Sequence, residues 1–240
     1  MKKKGTSRGL VLIGSLRTHG ITAYMKQGRV IVRAAKSFEK RSNTLPQFIQ
    51  RQKMRHSVAL WRKLKYCKTM FTNGATAYNN FISLANKLPV VYVDKNFMYG
   101  TSFLMPGIPV SDGTLPEIKQ HLGEVDGTPA LITNLQPKDQ KAFSKLWFYT
   151  AIQTGSDNSA YVEFSMREIS WEDMVLADKH YVIKGKEFAD DLKGWALVLV
   201  NRDRCSSQTI VTRCTMYQKY TTEEALQNAA KSYKGLTNRW

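Results

Sequence analysis

A chain of 240 residues can form one large domain or two small ones, and its 42% apolar and 11% aromatic residues exclude global disorder. The longest apolar runs, such as Trp195 to Val200, are far shorter than the roughly 20 residues of a membrane-spanning helix, so we expect no membrane segment. The formal net charge of +17 points instead to an acidic partner.

The positive charge is confined to the first part of the chain. Residues 1–90 contain 19 Lys or Arg and a single acid, Glu39, whereas residues 91–240 contain 17 bases and 18 acids. Eighteen excess charges in a small region repel one another unless an anion neutralises them. A merely solvated basic face is the alternative, but such faces usually carry interspersed acids that pair with the lysines. The distribution therefore favours a polyanion-binding region.

Targeting and redox signals favour a cytoplasmic protein. Lys2, Lys3 and Lys4 precede only four apolar residues, at 10–13, whereas a signal peptide has an apolar stretch of about 7–15 residues. We interpret this segment as a basic tail that leads into a strand. The three cysteines are an odd number and include no CxxC pair, which argues against a disulfide framework and against a zinc site.

The first predicted elements are strands over residues 8–17 and 21–34. The dipeptide Gln27-Gly28 separates two alternating segments, which predicts a tight hairpin over 22–33. Because side chains alternate between the faces of a strand, Arg29 and Arg33 are expected on one face.

A long basic helix is predicted next. Thr44 as N-cap, Pro46 in the first turn and Gln47 at the capping-box position predict a helix that runs to about Tyr66. Its apolar face is expected to contain Ile49, Leu60, Leu64 and Cys67, with Met54 and Trp61 at the margin. At 100° per residue, Arg51, Arg55 and Arg62 fall within roughly 40° of one another, and Lys65 extends this stripe.

The remaining sequence is predicted to be rich in β structure. A short helix over 77–87 precedes a strand over 90–94, and a capping signal at Thr114 predicts a helix that ends at Gly123. Further strands are expected over 130–134, 146–153, 161–168, 180–184, 195–201 and 209–217, and a final helix is expected between Thr221 and Gly235. The predicted fold class is α+β. A basic N-terminal β-hairpin and helices (1–90) would precede an antiparallel β barrel or sandwich with a C-terminal helix (91–240), with the boundary near 88–95.

Catalytic and cofactor motifs are missing from the sequence. It contains no GxxxxGK[ST], GxGxxG after a strand, GxSxG or HExxH, and its four histidines are scattered, so we expect no cofactor and no metal. The adjacent carboxylates Asp190-Asp191 and Glu172-Asp173 are the best candidates for a divalent cation. The polar run over 206–209 could line a pocket, but a hairpin turn explains it equally well.

Basic residues interleave with aromatic ones in the first seventy positions. A guanidinium group can donate two parallel hydrogen bonds to the oxygens of one phosphate, and a lysine contributes a positive charge. Aromatic rings can stack on unpaired bases. Candidate aromatic residues are Tyr24, Phe38, Tyr66 and Trp61, although Trp61 is expected in the core. The candidate phosphate-binding residues are Arg17, Lys26, Arg29, Arg33, Lys36, Lys40, Arg41, Arg51, Arg55, Arg62 and Lys65.

The chain resembles a group of hypothetical proteins from Bacteroidales genomes. Their pattern is a glycine-rich basic hairpin, an arginine and a T-x-x-Q-x-x-Q-R helix start, followed by a β-rich remainder; here residues 20–24, Arg33, and Thr44, Gln47, Gln50 and Arg51 fit it. The resemblance extends over residues 8–70, and the segments 195–200 and 205–209 are also similar. Since this group is of unknown function, it supplies no catalytic or binding residue and implies a bacterial protein of small domains without enzymatic activity.

Three functions are compatible with these observations. The first is non-catalytic nucleic-acid binding through phosphate contacts; no RNP, KH, zinc-finger or homeodomain signature selects DNA or RNA or a sequence. The second is a structural subunit of a larger assembly, related to a phage or mobile element, whose basic arm packs on an acidic protein partner or an encapsidated genome; self-assembly of the chain is also compatible with this role. The third is a metal-dependent enzyme that uses the carboxylates of the β-rich region.

Overall fold

The computed structural model describes residues 21–26, 29–34, 44–64, 70–73, 76–97, 100–155, 160–188 and 193–233. The chain divides into two compact units, residues 1–42 and residues 43–240. The division thus falls between 42 and 43 rather than near 88–95, because the two helices that follow residue 43 belong to the same unit as the sheets. The fold is α+β.

The first unit contains an antiparallel hairpin. Its strands are β1 (Ile21–Lys26) and β2 (Arg29–Ala34), and the register pairs Ile21 with Ala34 and Lys26 with Arg29. This register confirms the hairpin predicted over 22–33. The strand predicted over 8–17 lies outside the described residues.

The second unit is built from two larger antiparallel sheets and one small one. Its strands are, in chain order, β3 (Pro109–Ser111), β4 (Gln120–Val125), β5 (Thr128–Thr133), β6 (Lys145–Thr154), β7 (Tyr161–Ile169), β8 (Val175–Ala177), β9 (His180–Lys184), β10 (Gly194–Asn201), β11 (Arg204–Cys205), β12 (Gln208–Thr209) and β13 (Val211–Thr212). The first sheet has the order β11-β10-β6-β7, with β13 also on β10, and the second has the order β4-β5-β9-β8. The third pairs β12 with β3.

Four α-helices complete the described part of this unit. They are α1 (Leu45–Lys63), α2 (Ala77–Ala85), α3 (Pro137–Ala142) and α4 (Glu223–Ser232). No helix in the described ranges combines the length and the hydrophobicity that crossing a bilayer requires.

The central strands β6 and β10 bury both of their faces. On one face, Phe148 and Leu197 join a core cluster that includes Leu131 and Ile183 of the second sheet, so the two sheets pack as a sandwich. On the other face, Tyr149 and Val198 pack in a cluster with residues of α1 and α2, such as Leu60 and Phe81. The first sheet is therefore the middle layer between the helices and the second sheet, and its strand β10 is apolar and buried from Trp195 to Val200.

The helix starts follow the capping chemistry of the sequence. At the start of α1, the backbone N–H of Thr44 donates to the Gln47 side chain (3.4 Å), as predicted, and the helix ends at Lys63, three residues before the expected end. The N-cap of α4 is Thr222, one residue later than predicted, and its hydroxyl accepts from the backbone N–H of Ala225 (3.2 Å).

The helix predicted from Thr114 to Gly123 is wrong. Residues 120–125 form β4, which pairs with β5 through a two-residue turn at Asp126 (φ 53°) and Gly127 (φ 69°). Positive φ at both central positions is the type I′ turn, for which Asp-Gly is a preferred sequence. Gly123 lies within the strand, where a Cβ would come 2.7 Å from Cδ1 of Ile132. The local capping signal was weaker than the hairpin signal that followed it.

Two other strand predictions need correction. Residues 90–94 form no strand: the N–H of Tyr92 donates to the carbonyl of Tyr220 (2.8 Å), and the N–H of Val93 donates to the side chain of Gln52 (3.3 Å). The strand expected over 209–217 is reduced to the two-residue strands β12 and β13 and a 3₁₀ turn at Met216–Tyr220. The backbone N–H and C=O groups of both segments form their hydrogen bonds largely outside a regular strand ladder.

Candidate nucleic-acid interface

The arginine stripe predicted on α1 lines one groove of the second unit. Arg51, Arg55 and Arg62 stand at spacings of four and seven residues, which place them one above another along the same side of the helix. Arg51 and Arg62 are exposed, whereas Arg55 is half-buried. The structure thus brings three of the candidate phosphate-binding residues together.

Apolar residues line this arginine groove together with the arginines, and we call Met54, Val58 and Ala59 the floor of the groove. The groove has a volume of about 350 Å³, and among the described residues Met54, Val58, Ala59 and Gly100 also line it. Gly100 has a φ of +92°, a conformation that other residues rarely adopt, and a Cβ there would meet no atom within 4 Å. The requirement for glycine at this position is therefore conformational.

The guanidinium of Arg55 is held in place by two protein groups. Nη1 donates to the hydroxyl of Tyr233, which directly follows α4, and Nη2 lies 3.5 Å from the carbonyl oxygen of Phe97. A guanidinium carries five N–H donors, and these two contacts occupy one donor on each terminal nitrogen. Arg55 therefore connects α1 to the residue that follows the C-terminal helix, and its guanidinium is held in place where it lines the groove.

Acidic residues are missing from the sequence around the groove. Residues 44–93 contain eight Lys or Arg and no Asp or Glu, so α1 itself carries no carboxylate. The described ion pairs lie in the β-rich region, where Lys145 pairs with Glu168, Arg167 with Glu187, and half-buried Lys184 with exposed Asp126. The three arginines therefore give the groove a basic lining.

The buried side of α1 fixes the helix through two polar residues. The Gln52 side chain accepts from the N–H of Val93, and Nε2 of His56 accepts from the N–H of Phe103 (3.0 Å). Burial lowers the pKa of His56 to about 4, so the ring is neutral at pH 7. These bonds attach the helix to irregular segments on both sides of residue 100, and one of those segments carries Gly100 of the groove. Sequence reasoning missed this pair, although polar residues at i and i+4 inside an apolar arc are a detectable signal.

The other candidate residues lie elsewhere. Three of them belong to the hairpin of the first unit: Lys26, Arg29 and Arg33. In its backbone register Lys26 lies opposite Arg29 and Arg33 lies opposite Thr22, and Arg29 is exposed. Outside the described residues are Arg17, Lys36, Lys40, Arg41 and Lys65, together with the aromatic candidates Phe38 and Tyr66.

Trp61 belongs to the core, as predicted. Its ring packs against Phe71, Tyr78 and Phe81 at centroid distances of 5.9, 5.8 and 5.2 Å. A ring with three aromatic neighbours contributes to packing between α1 and α2 and is not presented for stacking on a ligand.

The polar run over 206–209 joins several elements. The Ser207 hydroxyl donates to Oδ1 of Asp112 (3.0 Å), and the Asn80 amide of α2 donates to Oδ2 of the same carboxylate (2.7 Å). Strands β11 and β13 pair only with the two ends of β10 along one of its edges. Between them, the N–H of Leu199 donates to Oγ of buried Ser206 (3.0 Å). The run therefore completes backbone hydrogen bonding between strands.

The predicted carboxylate pairs offer no assembled metal site in the described part of the chain. Glu172 and Asp173 lie in a 3₁₀ turn, where Asp173 accepts from the N–H of Ser170 (3.1 Å), and Asp190-Asp191 lies outside the described residues. Within the described ranges, no group of three or more His, Cys, Asp or Glu side chains could hold a metal ion. Cys205 donates to the carbonyl of Met70 (3.1 Å), and burial raises the pKa of its thiol.

The described lining of the groove on α1 thus combines three arginines with apolar residues, a chemistry that suits an anion. No protein-family model, no curated protein and no solved structure matches this chain.

Proposed function

We propose that this protein is a non-catalytic nucleic-acid-binding protein that acts through phosphate contacts of its basic N-terminal region. The observation that carries the proposal is the alignment of Arg51, Arg55 and Arg62 along one groove, in a stretch of fifty residues without an acid. The hairpin of the first unit, with Lys26, Arg29 and Arg33, is the second phosphate-binding element of the proposal.

Phosphate is the anion that this arrangement suits. Guanidinium groups form paired, charge-assisted hydrogen bonds with phosphate oxygens. A row of them along a helix matches a ligand whose charges repeat, because each arginine can contact a different phosphate. The predicted cytoplasmic location, inferred from the cysteine content, places the protein in a compartment that contains nucleic acid.

The proposal is tested by binding of a labelled single strand and a labelled duplex across a salt series. The test variant is Arg51→Ala/Arg62→Ala, which removes two exposed arginines of the groove and leaves the Arg55 contacts with Tyr233 and Phe97 intact. The control is Lys141→Ala/Arg204→Ala, which removes the same charge from exposed positions of the β-rich region.

Each lost phosphate contact lowers the log–log salt slope by about 0.7 on a single strand and about 0.9 on a duplex. We therefore expect the groove variant to lose about 1.4 of the slope on a single strand and the control to keep the wild-type slope. An affinity that stays flat between low and moderate salt would refute the proposal, and so would equal losses in the two variants, since general charge would then explain the binding.

A further inference from the structure

We infer that the groove on α1 accommodates an unpaired base, so that the preferred ligand is single-stranded nucleic acid. This inference rests on the proposed function. It adds the class of ligand, which we infer from the apolar residues that line the groove beside its arginines.

Phosphate binding alone does not explain why the groove has an apolar floor. Contacts to a phosphate backbone need cations on a surface and no apolar depression. Here Met54, Val58 and Ala59 line the same groove of about 350 Å³ as the arginines. That volume is at the lower end of the range of sites that bind small organic ligands, and the groove is open to solvent on one side. A base is the apolar, planar part of a nucleic acid, and only an unpaired base has a face free to leave the stack.

Arg55 adds a stacking surface to this floor. Guanidinium planes stack on unpaired bases. Such a contact contributes more to the affinity when the side chain is already held in place, because less conformational entropy is lost on binding. The contacts to Tyr233 and Phe97 hold the Arg55 guanidinium before any ligand arrives. Arg55 is half-buried and lines the same groove as Met54 and Val58.

The outer arginines are spaced for the flanking phosphates. Arg51 and Arg62 are eleven residues apart on a continuous helix, which is about 16 Å along its axis. They stand on either side of the floor residues Met54 and Val58, so a strand that runs along the helix would place phosphates at both ends of the groove. The repeated charge at both ends favours a nucleic acid over a single acidic side chain of a protein.

The test compares three labelled ligands of equal length at one moderate salt concentration: an oligothymidine strand, an abasic strand with the same number of phosphates, and the oligothymidine paired in a duplex with its complement. One stacked base contributes about 5- to 150-fold in affinity. We expect the thymidine strand to bind more tightly than the abasic strand by a factor in this range.

The matched variant is Met54→Gln/Val58→Asn, which makes the floor polar without changing charge, arginines or approximate side-chain size. We expect it to bind the abasic strand like the wild type and to lose most of the preference for thymidine. The control, Val175→Asn/Leu176→Gln, makes the same exchange at two exposed apolar residues of β8 and should keep the preference. Circular dichroism and thermal unfolding establish that each variant is folded.

The outcomes separate this inference from the proposed function. If the abasic strand or the duplex binds as tightly as the thymidine strand, with the salt slope retained, the base site is refuted and phosphate binding stands. If no strand binds at low salt, both fail. Displacement of the bound strand by an acidic peptide of equal charge, at the same concentration as by unlabelled strand, would also overturn the inference in favour of a protein ligand.

Discussion

Protonation of His56 is expected to destabilise the second unit in mildly acidic solution. Its Nε2 accepts from the N–H of Phe103, and burial holds its pKa at about 4, against the ordinary value of 6.5. In the unfolded chain the imidazole takes up a proton as the pH falls below 6.5, whereas the folded protein takes it up only near pH 4. The stability contributed by the neutral ring is therefore complete above pH 6.5 and is lost as the pH falls towards 4.

The size of the effect follows from the shift in pKa. A difference of about 2.5 pKa units corresponds to about 3.4 kcal/mol of unfolding free energy over the whole transition. About 2 kcal/mol of this should be lost between pH 7.5 and pH 5, where most carboxylates remain ionised. Urea unfolding followed by tryptophan fluorescence at pH 7.5, 6 and 5 measures this loss.

The reference protein for this assay is the variant His56→Gln, which can still accept a hydrogen bond from Phe103 but cannot titrate. Its unfolding free energy should change less between pH 7.5 and 5 than that of the wild type, by about 2 kcal/mol. The absolute stability of the variant is not at issue, because only the slopes are compared. Parallel pH profiles for the two proteins would refute the reasoning.

Two further predictions concern the sheets. Gly127→Ala should lower the unfolding free energy by about 1–2 kcal/mol because Gly127 has a φ of +69°, and Gly127→Asn should cost less since Asn tolerates this conformation. Equal melting temperatures for Ala, Asn and wild type would contradict the assigned turn. Ser206→Ala should cost about 1–3 kcal/mol, because the buried N–H of Leu199 loses its acceptor; Ser207→Ala, at a less buried position, is the comparison. Amide exchange at Leu199 that stays as slow in Ser206→Ala as in wild type would exclude this role.

The sequence predicts those features that depend on neighbouring residues. The start of α1 at Thr44 and the strands around 146–153 and 195–201 follow from capping chemistry and from apolar runs, and the structure contains them. The arginine stripe is also local, because helical spacing alone brings Arg51, Arg55 and Arg62 to one side.

Features that depend on distant residues were not predictable. Val91 and Val93 are buried and alternate like a strand, but their segment hydrogen-bonds to Gln52 and Tyr220 in place of a neighbouring strand. The groove has the same origin, since its opposite side comes from Gly100 and its central arginine is held from Tyr233, 178 residues further along the chain. Helical periodicity gives the position of the charges but not the surface that they enclose.

The bond between Arg55 and Tyr233 couples the groove to the last described turn of the chain. Tyr233 directly follows α4, and its ring packs edge-on against Phe48 of α1, at 5.3 Å between centroids. Ends of helices are where chains open most readily. By thermodynamic linkage, a ligand that strengthens the hold of Arg55 on Tyr233 must protect α4 from fraying, and fraying must weaken the ligand by the same factor. The C-terminal helix, although distant in sequence from the basic region, is thereby an energetic part of the groove.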